Sequence, residues 1–136
     1  MSGYSPRPLV EKLGLKPGMQ AYFGNAPESF IREIKIPLGV QIQQALLREP
    51  MDFIHCFMVS RKELSRQFPI LKNSLAESGV LWISWPKRSA KVATDLDENI
   101  VREIGLNSGL VDVKVVAVDE IWSGLKFMYR KKDREK

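Results

Sequence analysis

Three clusters in this 136-residue chain carry side chains able to do chemistry. The first is basic. Lys87, Arg88 and Lys91 follow Trp85-Pro86 closely, a grouping that can clamp a phosphate or another anion, with Thr94 or the free amides of a helix beginning near Asp95 as further donors. The plainer reading is an exposed basic loop that the proline steers away from a sheet. The second cluster is acidic, Asp119-Glu120 shortly before Trp122-Ser123-Gly124. Adjacent carboxylates suit acid–base work, yet in a tight turn they more often cap amides or stand in water. Trp122 in the same turn needs something to cover it: packing against Trp85 is the plainer reading, a ligand or partner surface the sharper one. The third is His55-Cys56. Histidine titrates near neutrality and can act as a general base, but this one lies mid-strand between Phe53 and Phe57, which favours a hydrogen-bonded core residue. A reactive thiol needs exposure and a neighbouring cation, so Cys56 in the same apolar run reads as buried. The two form no dyad, because successive strand residues point to opposite faces. No catalytic residue, cofactor or metal ligand is assigned from these clusters.

Composition narrows the class of molecule. With 44% apolar and 27% charged residues, the chain suits one globular domain over residues 1–130 and a charged tail over 131–136. A single cysteine excludes an intramolecular disulfide and a thiolate zinc site built from one chain. A reducing cytoplasm is the expected location. Met1 to Pro8 lacks the apolar core of a signal peptide, and no apolar stretch approaches bilayer-spanning length, so no membrane partner is expected. The net charge of +5 invites a nucleic-acid reading, but Arg130 to Lys136 supply +3 of it. The body is left with an ordinary surface, and nucleic acid is disfavoured as a partner.

The elements that must position these clusters follow from local signals. Pro8 opens a short helix with Leu9, Val10 and Leu13 on one side, closed by Gly14 and the turn Lys16-Pro17-Gly18. Met19 to Phe23 is a strand, turned by Gly24-Asn25-Ala26-Pro27 into a helix with Phe30, Ile31 and Ile34 inward. Gly39 to Ile42 is a weak second strand, and Met51 to Val59 a central one covered on both faces. Ser60-Arg61-Lys62-Glu63 has capping-box spacing at a helix start. Leu64, Phe68, Leu71 and Leu75 keep the helical stripe, Pro69 is expected to kink or split it, and Gly79 to stop it. The run Val80 to Trp85 is a buried strand. Thr94-Asp95-Leu96-Asp97-Glu98 starts another helix, with Ile100, Val101 and Ile104 inward and Gly109 at its end. Val111 to Val118 and Leu125 to Tyr129 form a hairpin.

Strands alternating with helices predict an α/β fold, a three-layer Rossmann-like sandwich with a mostly parallel sheet and a C-terminal antiparallel hairpin strand. Helix into strand and then a last hairpin resembles the C-terminal half of the S-adenosylmethionine-dependent methyltransferase fold, here in reduced topology. The residues that would hold the cofactor depart from that pattern. Gly24-Asn25-Ala26-Pro27-Glu28 supplies one glycine where several are usual, and Gln41-Ile42-Gln43-Gln44 offers no carboxylate to a ribose. Gly79 to Lys87, Thr94-Asp95-Leu96, Gly109 to Val115 and Trp122 to Lys126, with Tyr4-Ser5, Leu9 and Lys12-Leu13-Gly14 at the opening, resemble a bacterial family known as a domain of unknown function. That resemblance covers nearly the whole chain and implies the fold without an activity.

Ligands of open parallel sheets bind outside the carboxyl ends of the strands. The rule selects Asn25, Ser60, Arg61, Trp85, Lys87, Arg88, Asp119, Glu120 and Trp122 as ligand-binding candidates. The reading that follows is a non-catalytic binding or regulatory module whose partner is a protein or a small anionic ligand. The alternative is a small enzyme acting on an anionic metabolite, with Lys87 and Arg88 as clamps and Asp119 or Glu120 as acid or base.

Overall fold

The computed structural model describes residues 7–46 and 49–134; Tyr4-Ser5 of the opening motif and the last two residues of the tail lie outside them. The elements in chain order are α1 (Leu9–Leu13), β1 (Gln20–Gly24), α2 (Glu28–Ile34), β2 (Gln41–Gln43), β3 (Met51–Phe57), α3 (Arg61–Ser74), β4 (Leu75–Pro86), α4 (Glu98–Asn107), β5 (Leu110–Ala117), β6 (Trp122–Tyr129) and α5 (Lys131–Arg134). Their ends follow the local chemistry. Gly14 closes α1 at φ +84°, where a side chain would be strained. The hydroxyl of Ser60 accepts the Glu63 amide and the carboxylate of Asp97 accepts the Ile100 amide, starting α3 and α4.

The sheet has the order β2-β1-β3-β4-β6-β5. The first four strands are parallel, and β6 runs antiparallel to both β4 and β5. The chain leaves β1 outward to β2 and returns to β3 on the other side, so the carboxyl ends of β1 and β3 flank the point where the strand order reverses. Alternation along the strands sends side chains to two cores. Ile54, Cys56, Leu81, Ile83, Trp85, Leu125 and Phe127 meet α3 and α4, while Phe53, Phe57, Trp82 and Ala21 meet α1 and α2. This is the α/β sandwich with a closing antiparallel hairpin that the sequence pattern predicts. No helix among the described residues is long and apolar enough to cross a membrane.

Several expectations are corrected. Of the kink or split expected at Pro69, the split does not occur: α3 runs unbroken from Arg61 to Ser74. Pro69 and Ser65, the residue whose carbonyl loses a partner, are both exposed, so the missing bond falls on the solvent side of the helix rather than in the core. Gly79 does not end the helix. Leu75 already begins β4, buried and paired with Met51, and Gly79 sits inside the strand where a Cβ would lie 2.9 Å from the Met51 carbonyl oxygen. Only half of the capping box forms, because the Glu63 side chain is taken by Arg66 and Gln67 of the next turn. The helix after the basic loop starts at Asp97 rather than Asp95. The charged tail opens as a single helical turn, Lys131–Arg134.

His55 and Cys56 are both buried, on opposite faces of β3. His55 Nε2 lies 2.7 Å from Ser84 Oγ on β4, and its Nδ1 has no partner. Its ring stacks on Phe57 at 4.4 Å and meets the edge of Phe30 at 5.2 Å. Burial holds the imidazole down at about 3 and pushes the Cys56 thiol up to about 12.

Candidate functional site

Parallel pairing of β1, β3 and β4 brings their carboxyl ends to one edge, and the antiparallel β6 begins there. Asn25, Ser60, Lys87 and the β5–β6 turn therefore share an edge, as the sequence rule requires. The edge is not one basin. The sheet divides it, and the candidate residues fall into separate hollows.

A charged hollow of about 300 Å³ lies between the end of β4 and the start of α4. Trp85, Val92 and Leu96 form its apolar wall, Lys87 and Arg88 its cationic side, and Thr94 and Asp97 its polar floor. Local chemistry fixes the loop around it. After Lys87 the chain makes a single 3-10 turn over Arg88–Ala90 and leaves through Lys91 at φ +56°. It is then stitched to the segment that follows β3: Thr94 Oγ1 donates to the Val59 carbonyl at 2.6 Å and accepts the Leu96 amide at 3.1 Å. The Asp95 carboxylate accepts the Arg61 amide at 2.7 Å, occupying an exposed donor at the first turn of α3. These roles of Thr94 and Asp95 were missed as loop anchors by the sequence reading, although Thr-Asp-Leu-Asp places two capping side chains in series ahead of the helix. Lys91 does not line the hollow. Arg61 lines a polar groove between α3 and α4 with Ser65 and Glu103 instead.

Asn25, Ser60 and Trp122 line a second, mainly apolar hollow of about 240 Å³ at the reversal point, with Phe57, Met58, Val59 and Glu63. Asn25 adopts φ +57° and its side-chain amide donates to the Phe57 carbonyl at 3.2 Å, bridging β1 to β3 across the crevice. Trp122 stands edge-on to Phe57 at 5.1 Å. It does not pack on Trp85. Pro86 is the register partner of Trp122 and Trp85 that of Ser123, so the two indoles point to opposite faces, Trp85 into the core under α3 and α4. Asp119 caps its own turn, accepting the Ile121 and Trp122 amides at 2.8 Å each, and borders a third hollow with Glu33, Leu9 and Phe30 on the α1–α2 side. Glu120 is exposed on the same turn. Among the described residues no group of three or more His, Cys, Asp or Glu could hold a metal ion.

A fourth hollow, about 340 Å³, opens at the ends of β1 and β2 between Phe23, Ala26, Ile31, Ile42, Gln43 and Gln44. This is where an adenosyl cofactor would be sought in a fold of this topology. The residues present do not fit one in the usual way. The β1 turn has Asn25 bridging the crevice where a glycine-rich loop would leave open amides, and Gln43 is held by Gln20 at 3.0 Å rather than offering a carboxylate.

No family model matches the chain, and no curated protein matches it. Solved structures do. A S-adenosylmethionine-dependent methyltransferase from Aquifex aeolicus is 16% identical with a TM-score of 0.62, over 90% of this chain and 88% of that one. Magnesium protoporphyrin IX methyltransferase from Synechocystis with bound S-adenosylmethionine is 14% identical with a TM-score of 0.58, over 90% and 74%. Aeropyrum pernix fibrillarin, with natively bound S-adenosyl-L-methionine, is 12% identical with a TM-score of 0.55, over 88% and 73%. The likeness establishes a Rossmann-like methyltransferase fold.

Proposed function

We propose that the protein is a cytoplasmic binding or regulatory domain on the methyltransferase-like fold, taking a small anionic ligand at its carboxyl edge, and that it belongs with the bacterial family of unknown function that its Gly79 to Lys87 and Trp122 to Lys126 segments resemble. The observation that carries this reading is the hollow between β4 and α4, where Lys87 and Arg88 line one side and Trp85 and Leu96 the apolar wall. The cations supply attraction and the wall lowers the local dielectric, so an anion with a flat apolar part gains from both. The Asp97 carboxylate, committed to the Ile100 amide, repels negative charge from the floor. The anionic group therefore sits on the Lys87–Arg88 side and the apolar part against the wall.

A second reading is an enzyme that uses S-adenosylmethionine. It is favoured by the fold likeness over 90% of the chain and by the hollow at the ends of β1 and β2. An enzyme acting on an anionic metabolite with Asp119 as acid or base is less well supported, because that carboxylate is occupied by two amides and borders a different hollow from the cations.

Calorimetric titration with adenosine monophosphate, S-adenosylmethionine and S-adenosylhomocysteine separates these readings. Binding of the monophosphate that is lost in Lys87→Ser/Arg88→Ser is the result expected. Micromolar binding of S-adenosylmethionine that survives in that variant but is lost in Asn25→Ala would replace the proposal with the second reading.

A further inference from the structure

Lys114 and Lys126 stand directly opposite one another across the β5–β6 ladder. The other neighbour of Lys126 in register is Trp82 on β4. The Trp82 indole donates to the Leu13 carbonyl at 2.8 Å, holding the end of α1 over that part of the sheet, and the turn leaving α1 carries Lys16. Three segments distant in sequence thus bring three ammonium groups to one sheet face. None of the three joins an ion pair found among the described residues.

Such an arrangement is costly by itself. Like charges directly opposite on neighbouring strands repel, and Lys126 is half-buried while Lys16 and Lys114 are exposed. Burial first, and then the charges of Lys114 and Lys16, hold Lys126 below the ordinary lysine range. Lys114 keeps the hairpin register of Val115 with Leu125, and the bulge at Val113 beyond it pairs Asp112 with Phe127, whose side chain faces α3 and α4. The nearest carboxylate on β5, that of Asp112, is engaged by Arg102 at 2.9 Å. The face carries surplus positive charge with a partly desolvated centre, and none of its three lysines is ion-paired to an acid among the described residues.

We propose that this face of the β5–β6 hairpin binds the phosphoryl group of a small phosphorylated compound, with Lys16, Lys114 and Lys126 as its ligands. A phosphate carries a charge of about −1.5 to −2 at neutral pH and three acceptor oxygens. That matches three flexible point-charge donors better than a carboxylate, whose single charge would leave two of the three ammonium groups uncompensated. The site lies on the sheet face toward α1, apart from the Lys87–Arg88 hollow, and does not depend on the function proposed for that hollow.

The test uses the full chain carrying Lys87→Ser/Arg88→Ser, so that the carboxyl edge cannot contribute. Lysine side-chain resonances and the thermal midpoint are followed as inorganic pyrophosphate is added, with sodium chloride at matched ionic strength as the control. Saturable shifts at Lys114 and Lys126, a rise of the Lys126 pKa toward the ordinary lysine range and a raised midpoint are expected. Adding Lys114→Thr/Lys126→Thr, which keeps β-forming residues in both strands, is expected to raise the midpoint without pyrophosphate and to abolish the response. Should that variant fail to fold, Lys16→Ser, placed in an exposed turn, is expected to weaken pyrophosphate binding about tenfold. A response that sodium chloride reproduces, or one unchanged in the lysine variants, overturns the proposal.

Discussion

The buried His55–Ser84 pair makes stability depend on pH in a window where little else titrates. The imidazole ordinarily titrates at 6.5 and is held at about 3 in the fold, with desolvation as the cause. Protonation would place a second N–H on Nδ1, which has no acceptor. The same geometry selects the tautomer. With the proton on Nε2, the ring donates to Ser84 Oγ and leaves only a lone pair unpaired on Nδ1, which costs less than an orphaned donor. Because the folded value lies below the unfolded one, the unfolded chain binds the proton first. Stability is therefore complete above pH 6.5 and is lost as the pH falls through 6.5 toward 3. The loss is about 1.4 kcal/mol per pH unit, about 2 kcal/mol by pH 5 and at most about 5 kcal/mol below pH 3. Carboxylates, with unfolded values near about 4, add little above pH 5.

Urea unfolding followed by tryptophan fluorescence at pH 7, 6 and 5 measures the slope. The comparison is His55→Phe/Ser84→Ala, which replaces both partners by apolar groups of similar shape and removes the titration. The ring is enclosed by Phe30, Phe53 and Phe57, so the larger phenylalanine carries an overpacking cost that is constant with pH and does not affect the slope. The variant is expected to be flat between pH 7 and 5 while the native chain loses about 2 kcal/mol. Equal slopes in the two proteins would refute the assignment of a neutral, desolvated histidine.

A Cβ on Gly105 would lie 2.0 Å from Phe127 Cε1, and Phe127 is itself wedged edge-on against Phe68. Gly105→Ala is expected to lower stability by about 1–3 kcal/mol in urea unfolding despite its better helix propensity. Asp119→Ala removes the acceptor of two turn amides and is expected to cost about 1–2 kcal/mol in thermal melts, whereas Glu120→Ala stays within about 0.5 kcal/mol. Cys56, buried with its thiol pushed up to about 12, is expected to react with a disulfide reagent only at the rate of global unfolding, and modification of the native state within minutes would contradict its burial.

What the sequence made legible are features with local causes. Gly14, Ser60 and Asp97 mark helix ends because each supplies a conformation or an acceptor that a terminus needs. The alternation Phe53-Ile54-His55-Cys56-Phe57 identifies a strand covered on both faces. What it hid depends on register. Gly79 reads as a helix stop, but its lack of a side chain answers the close Met51 carbonyl of a parallel neighbour. Trp85 and Trp122 read as partners because their loops share an edge, yet the pairing of Pro86 with Trp122 sends them to opposite faces. Lys114 and Lys126 drew no attention for the same reason, since what sets them opposite is the hairpin register that also pairs Val115 with Leu125 and Ala117 with Ser123. Strand ends can be read from sequence, so the residues of the carboxyl edge were found, but their grouping could not be. A one-residue change in pairing moves a side chain across the sheet. It follows that Lys87 and Trp122, neighbours along the edge, belong to different hollows. A ligand held by the Lys87–Arg88 cations would therefore leave Trp122 and the Asn25 crevice to serve separately, and a variant at one is expected to leave binding at the other intact.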